Sequence, residues 1–443
     1  MSADCLADHS SSPLFRIMKT WRVPTTLVLG TLLLSGCGAA RANPAASGPL
    51  PACDADNGGI TLPAGFCAVV VAEVANARHM AVAPNGDLYV SARAVTPQNQ
   101  HGVTVLRDTN GDGKADVTEG FADEGGTGIA IRDGNLYFGT NGAVLRYRLG
   151  AGPLPASGPD TVVSGLPAAP GNGSKSIAIG DDGSLYVDIA APTDACQPLG
   201  QPVTGPVPGE DPCSQLATRG GIWRFDANKL HQTFEQGEHF ATGIRAGIGI
   251  TWSASAGGLY AVQQGREYLE RWPAFGAEAN LHMPSEELLK VVRGGDYGWP
   301  YCLYDPTQSK LILAPEYGGT SKDVGRCATK IGPVAAFQSH WAPNDVVFYS
   351  GSQFPARYRG GAFIAFHGKG NPAIEAARGY RVEFVPFRGA NAGPSEGFAN
   401  GFAQGNANAG KYRPGGLAVG PDGSLYIADS QAGRVWRVVY KGE

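Results

Sequence analysis

The chain has 443 residues, of which 64 are glycine and 17% are charged, and its formal net charge is −4. So nearly neutral a balance carries no electrostatic footprint for nucleic acid, and no nucleic-acid partner is expected. Glycine at roughly twice its usual share argues for many short strands and tight turns rather than helices.

Arg16, Lys19 and Arg22 precede an apolar run, 23–34, too short to span a bilayer as a mature helix. It ends in Leu34-Ser35-Gly36-Cys37, the form of a bacterial lipobox. Residues 1–37 therefore read as an export signal, with Cys37 as the lipidated first mature residue, and Met18 offers a second start. Gly38-Ala39-Ala40 places no Asp beside Cys37, which favours a periplasmic protein anchored to the outer membrane. Residues 38–58 are rich in Pro and Ala and read as a flexible tether. The globular domain is expected over 59–443.

With Cys5 and Cys37 set aside, the cysteines are Cys53, Cys67, Cys196, Cys213, Cys302 and Cys327. An even number in an exported chain reads as disulfides. The nearest-neighbour pairing, Cys53–Cys67, Cys196–Cys213 and Cys302–Cys327, closes short loops. No Cys-x-x-Cys supports a redox or metal role.

From Leu62-Pro63-Ala64-Gly65-Phe66 onward, one pattern recurs: an alternating strand, a glycine turn, then a strand opening on Leu-Tyr or similar. The copies are Pro84-Asn85-Gly86-Asp87-Leu88-Tyr89, Asp133-Gly134-Asn135-Leu136-Tyr137, Asp182-Gly183-Ser184-Leu185-Tyr186, Ala256-Gly257-Gly258-Leu259-Tyr260 and Asp422-Gly423-Ser424-Leu425-Tyr426, with a degenerate copy at Gly360-Gly361-Ala362-Phe363. Such a hairpin cannot bury its own apolar faces, but four-stranded blades stacked round an axis can. The expected fold is all-β, a six-bladed β-propeller. The early turn spacings match bare blades of ~40–50 residues. The later ones require insertions near 191–220 and 266–342, which hold two of the cysteine pairs and are placed to roof the axial funnel. The strand 68–74 is expected to pair with the C-terminal strand and complete the last blade.

Asp108, Asn110, Asp112, Lys114, Asp116 and Glu119 lie in a twelve-residue stretch with the oxygen spacing and central glycine of a calcium loop. Its flanks read as strands, so a polar hairpin tip is the competing reading. Basic residues at predicted inner-strand starts, Arg245, Lys369, Lys411 and Arg413, could face the funnel and grip an anion. His79, His340 and His367 adjoin strands, where a structural role competes with that of a general base. No Gly-x-Ser-x-Gly, His-Glu-x-x-His or phosphate loop occurs.

Several segments carry a broader resemblance: Arg78-His79-Met80-Ala81-Val82-Ala83-Pro84, Gly220-Gly221-Ile222-Trp223-Arg224, Gly243-Ile244-Arg245, Gly295-Asp296-Tyr297-Gly298-Trp299-Pro300, Phe354-Pro355-Ala356-Arg357-Tyr358-Arg359-Gly360-Gly361 and Arg413-Pro414-Gly415-Gly416-Leu417. Through them the chain resembles the exported sugar dehydrogenases that use pyrroloquinoline quinone, especially the sorbosone dehydrogenase-like branch, over about residues 60 to 440. The resemblance implies a six-bladed propeller with the quinone near its axis, calcium helping to hold it, and a His that takes the hydroxyl proton. Here Asn172 stands at the position of that His, and a neutral amide is no base near pH 7. The resemblance further implies that Arg245, Lys369, Lys411 and Arg413 hold the quinone. It leaves Lys175 and His367 as substitute bases. Ala246, Gln264-Gly265-Arg266-Glu267 and Gly370-Asn371-Pro372 also depart from the family pattern.

The expectation is a lipid-anchored dehydrogenase that oxidises a sugar or sugar aldehyde. Electrons would pass to a separate acceptor, because no Cys-x-x-Cys-His haem site is present. A catalytically inactive sugar- or partner-binding propeller and a calcium-dependent lactonase-like hydrolase are the alternatives.

Overall fold

Each glycine turn read from the sequence closes the first hairpin of an antiparallel sheet, because the reversal needs a backbone that side chains disfavour; Gly183 sits at φ +81°. The computed structural model describes residues 50–168, 175–200, 205–368, 379–405 and 410–442. Six sheets of four or five strands result, beside two small two-stranded ones among the described residues, and the first strands of the six are Ala77–Val82, Gly126–Arg132, Ile177–Ile179, Gly247–Ser253, Pro343–Phe348 and Pro414–Val419. We number the blades one to six in that order. These innermost strands touch their neighbours in a closed ring. Together they line an axial cavity of about 300 Å³. The chain is thus a six-bladed β-propeller, all-β apart from short helical turns.

Closure is made as expected. Phe66–Glu73 runs antiparallel to Arg434–Tyr440, with Val70 opposite Trp436, so the first strand is the outer strand of the last blade. The seam is reinforced by aromatics. Phe66 meets Phe354 and Phe398 edge-on, with centroids 4.8 and 5.1 Å apart. Tyr349, Phe363, Phe384 and Trp436 are buried in the same cluster between blades five and six. Trp436 Nε1 donates to the Gly58 carbonyl at 3.2 Å. A Cβ on Gly58 would lie 2.5 Å from Val70, and its φ is +64°.

The tether ends earlier than composition suggests. Ahead of Gly59, Pro51 is buried, Asp54 accepts from the Val70 amide at 2.8 Å, and Asn57 accepts from the Ala68 amide at 3.0 Å. The Cys53–Cys67 disulfide explains this: it binds the segment covalently to the closing strand. Cys37 lies outside the described residues. Among the described residues no helix is long and apolar enough to cross a membrane.

The other two disulfides, Cys196–Cys213 and Cys302–Cys327, form as paired in the sequence reading and sit inside the insertions of blades three and four. Those insertions bind each other. Tyr301 Oη accepts from the Cys213 amide, Tyr317 Oη donates to the Ala195 carbonyl, and Arg326 pairs with Asp211.

Removing the indole at the seam tests closure. Trp436→Ala deletes a fully buried side chain and a hydrogen bond. It is expected to lower stability by about 3–5 kcal/mol, read as a shift of the urea midpoint at unchanged m-value.

Candidate active site

A positional rule builds the site. In each blade the start of the first strand pairs with the end of the second: Ala77 with Ala92, Gly247 with Gln263, Pro343 with Phe366, Pro414 with Asp429. Side chains at or next to these junctions therefore come to one face of the ring. Arg78 and Arg93 arrive there from blade one, Gln264 from blade four, Asn344 and His367 from blade five, and Arg413 from blade six. Together they line a cavity of about 440 Å³ at the axis.

Basic groups outnumber acids in this cavity, where Glu267 is the carboxylate among the lining residues. Arg413 donates from Nε to the His367 carbonyl at 3.1 Å and from its fork to the Gly368 carbonyl, not to an acid. Among the described residues the Arg78 guanidinium has no hydrogen-bond or ion-pair partner. Burial, then repulsion from Arg93 and Arg413, pushes Arg78 down to about 10. Burial also lowers Arg413. The His367 imidazole is driven to about 3, first by burial and then by Arg413, Arg78 and Arg93. Guanidiniums grouped this way call for an anion with several carboxylates. A flat polycarboxylate quinone fits such a cradle.

Arg245 enters a neighbouring cavity of about 660 Å³. Glu267 lines both cavities. The Arg245 fork reaches Asp194 at 3.0 Å and the Gly265 carbonyl at 2.8 Å, and only its buried Nε is unsatisfied. Trp299 Nε1 donates to the Asp194 carbonyl at 2.8 Å, which gives the Tyr-Gly-Trp-Pro segment a physical role: it sets the partner of Arg245. The Arg245 amide donates to Gln263, which in turn donates to Glu287, a carboxyl pushed up to about 8 by burial.

Of the basic residues expected at the quinone, the structure thus brings Arg413 to the axial cavity and Arg245 to the one beside it. Lys411 is exposed, its Nζ 4.9 Å from the Tyr412 ring, and lines neither. Lys369 and Asn172 lie outside the described residues. Arg78 and Arg93 are the residues that sequence reasoning missed. Their signal was present: both flank strand ends of the first hairpin, the position that singled out Arg245 and Arg413.

Lys175 opens blade three and is wholly buried, and among the described residues its Nζ has no hydrogen-bond partner. Burial pushes it down to about 8, opposed by Asp188. Asp188 is itself pushed well up by burial, and its Oδ1 accepts from the Gly247 amide at 3.2 Å. The other histidines are engaged. His79 Nε2 contacts the Asn344 carbonyl at 2.9 Å beside Asp345, and His340 lies 3.7 Å from Glu267.

The stretch expected to be a calcium loop is a hairpin tip. Asp108 accepts from the Gly111 and Gly113 amides, Asn110 from Asp112, Asp112 from Lys114, and Asp116 from Thr109. The strands on either side pair at once, Arg107 opposite Val117. Glu119 is thereby held opposite Val105, exposed on the strand, and cannot return to the loop. Lys114 pairs with Asp54 at 3.7 Å. Among the described residues no three His, Cys, Asp or Glu side chains group to hold a metal ion. These residues do not fit a calcium site.

A family model described as TrAA12-like matches residues 60–441. The holo form of the pyranose dehydrogenase PQQ domain from Coprinopsis cinerea is 18% identical, covers 88% of this chain and 98% of its own, and superposes with a TM-score of 0.67. The calcium structure of the Trichoderma reesei Carbohydrate-Active Enzymes Family AA12 is 17% identical, with coverages of 86% and 97% and a TM-score of 0.68. The soluble aldose sugar dehydrogenase of Escherichia coli, in the apo form, is 14% identical, with coverages of 85% and 99% and a TM-score of 0.55. No curated protein matches the chain. At these identities the structures establish a shared fold, that of the PQQ-dependent sugar dehydrogenase propellers.

The crowding of positive charge has a measurable signature. His367 has an ordinary value of 6.5 and about 3 in the fold. Between the two, the unfolded chain binds a proton that the folded chain does not, so stability falls as pH drops through that window. His367→Asn should flatten this part of the urea-midpoint profile between pH 4 and 7. Arg78→Gln should raise the midpoint at pH 7 by relieving repulsion.

Proposed function

The chain belongs to the TrAA12-like family, and from that premise we propose that it is an exported oxidoreductase that oxidises a sugar or sugar aldehyde with pyrroloquinoline quinone. One observation carries the reading: Arg78, Arg93 and Arg413 converge on an axial cavity, and neither Arg78 nor Arg413 has a side-chain acid partner among the described residues. In this reading those three hold the carboxylates of the quinone, while Arg245, anchored by Asp194, borders the substrate side. The bound quinone supplies a two-electron acceptor for the hydride leaving the sugar carbon.

The hydroxyl proton needs a base. Asn172 cannot serve, and His367, surrounded by guanidiniums, is too weak a base near neutral pH. Lys175 is better matched. Its value of about 8 lies near working pH, its Nζ is unsatisfied among the described residues, and it stands three positions beyond Asn172 in sequence. We assign it the proton-accepting role, with Asp188 as its neighbour. Calcium is given no step, since the described residues do not fit it.

Export is supported by the signal-like segment ending at Cys37 and by three disulfides, which suit an oxidising compartment. Lipid anchoring at Cys37 and a separate electron acceptor belong to the same proposal. Asn172 favours the second reading, a propeller that binds without turnover.

Titration with pyrroloquinoline quinone followed by dye reduction across a sugar panel separates the two. Arg413→Ala should weaken quinone binding by about 2–5 kcal/mol; equal affinity would remove the axial site. Lys175→Met should abolish turnover yet keep quinone binding. The wild-type rate should rise with pH towards a plateau above about 8, because the lysine acts when deprotonated. Quinone binding with no turnover on any sugar would leave the non-catalytic reading.

A further inference from the structure

The larger cavity holds charged groups that the quinone does not use. Two of its arginines are ion-paired internally, Arg245 with Asp194 and Arg266 with Glu316. Arg219 is different. Its fork donates only to the Pro167 carbonyl, at 3.3 Å, and among the described residues no acid pairs with it. Burial lowers Arg219, which marks a cation held partly out of water.

The rim of the same cavity is aromatic and apolar. Tyr268, Trp272 and Leu199 line it, and Tyr268 and Leu199 are 42% and 62% exposed. Tyr268 is held at φ +65°, a left-handed conformation that side chains disfavour. The Arg271 guanidinium stacks 3.8 Å from its ring centroid and braces it. A strained, braced ring at a cavity mouth offers a flat apolar face to a ligand, and pockets of this kind combine such faces with a few placed polar groups. Arg219 also lies within electrostatic reach of Lys175.

We infer that this cavity binds an acidic sugar of the uronate class, its carboxylate on the Arg219 fork and its ring face on Tyr268 and Trp272. This rests on the dehydrogenase reading only for calling the ligand a substrate; binding itself does not. An arginine fork gives a carboxylate two charge-assisted hydrogen bonds that a neutral ester cannot match.

The test is calorimetry on the purified mature chain without quinone, using D-glucuronate, its methyl ester and D-glucose. The acid should bind at least about tenfold tighter than either neutral sugar. Arg219→Gln should erase that preference while leaving glucose affinity unchanged, and Arg219→Lys should restore part of it. Tyr268→Ala should weaken acid and ester by similar factors. Melting curves confirm that each variant folds. Equal affinity for acid and ester, or a preference that survives Arg219→Gln, overturns the inference. A preference lost in Arg219→Gln, in a protein that binds no quinone, would uphold the acidic-sugar site and remove the dehydrogenase reading. Failure of glucuronate with intact quinone binding would do the reverse.

Discussion

Pairing of Phe66–Glu73 with Arg434–Tyr440 is the constraint on which the remaining structure depends. A propeller has no central layer; each blade buries its faces only against its two neighbours. Without the closing strand, blade six would present an open edge, and the aromatic cluster against blade five would lose Phe66. Closure also brings the two ends of the chain's repeat together. Arg78 in blade one and Arg413 in blade six become neighbours across the seam, although more than three hundred residues separate them in sequence.

That neighbourhood is costly to the folded protein. Guanidiniums that repel one another, with an imidazole among them too depressed to share a proton, oppose folding. Proteins keep such arrangements where function needs them, and an anion that neutralises them returns the stability on binding. The cradle is rigid because it stands at strand ends rather than on loops. Arg413 is tied by its own amide to Asp429, which also accepts three further backbone amides.

The second cavity is built on the opposite principle. Its walls are insertions, and insertions hold a shape only when something fixes them. Two disulfides do so, together with hydrogen bonds that run from one insertion to the other through Tyr301, Tyr317 and Trp299. The result joins a deep, cationic chamber set by the ring to a roofed chamber set by loops, with Glu267 shared between them. In this chain the roofed chamber carries Arg219 and Tyr268.

Local periodicity was enough for the blades. The six glycine turns, the alternating strands and the disulfide pairs depend on neighbours in sequence or on short loops, and all are legible in the residues themselves. So was the surplus of basic residues at strand starts, which pointed to Arg245 and Arg413. Direction and partnership were not legible. Oxygen spacing at Asp108–Glu119 suggested a cation, but only the register of the flanking strands showed that the oxygens turn to the loop's own amides. Lys411 shares its neighbourhood in sequence with Arg413, yet ends at the surface, three residues before the strand begins. Arg78 and Arg93 became site residues only once the ring closed. The sequence by itself determined the repeating unit, because hairpins are made by local chemistry. The tertiary structure alone decided which charges meet, because electrostatic neighbours on an axis come from blades far apart in the chain.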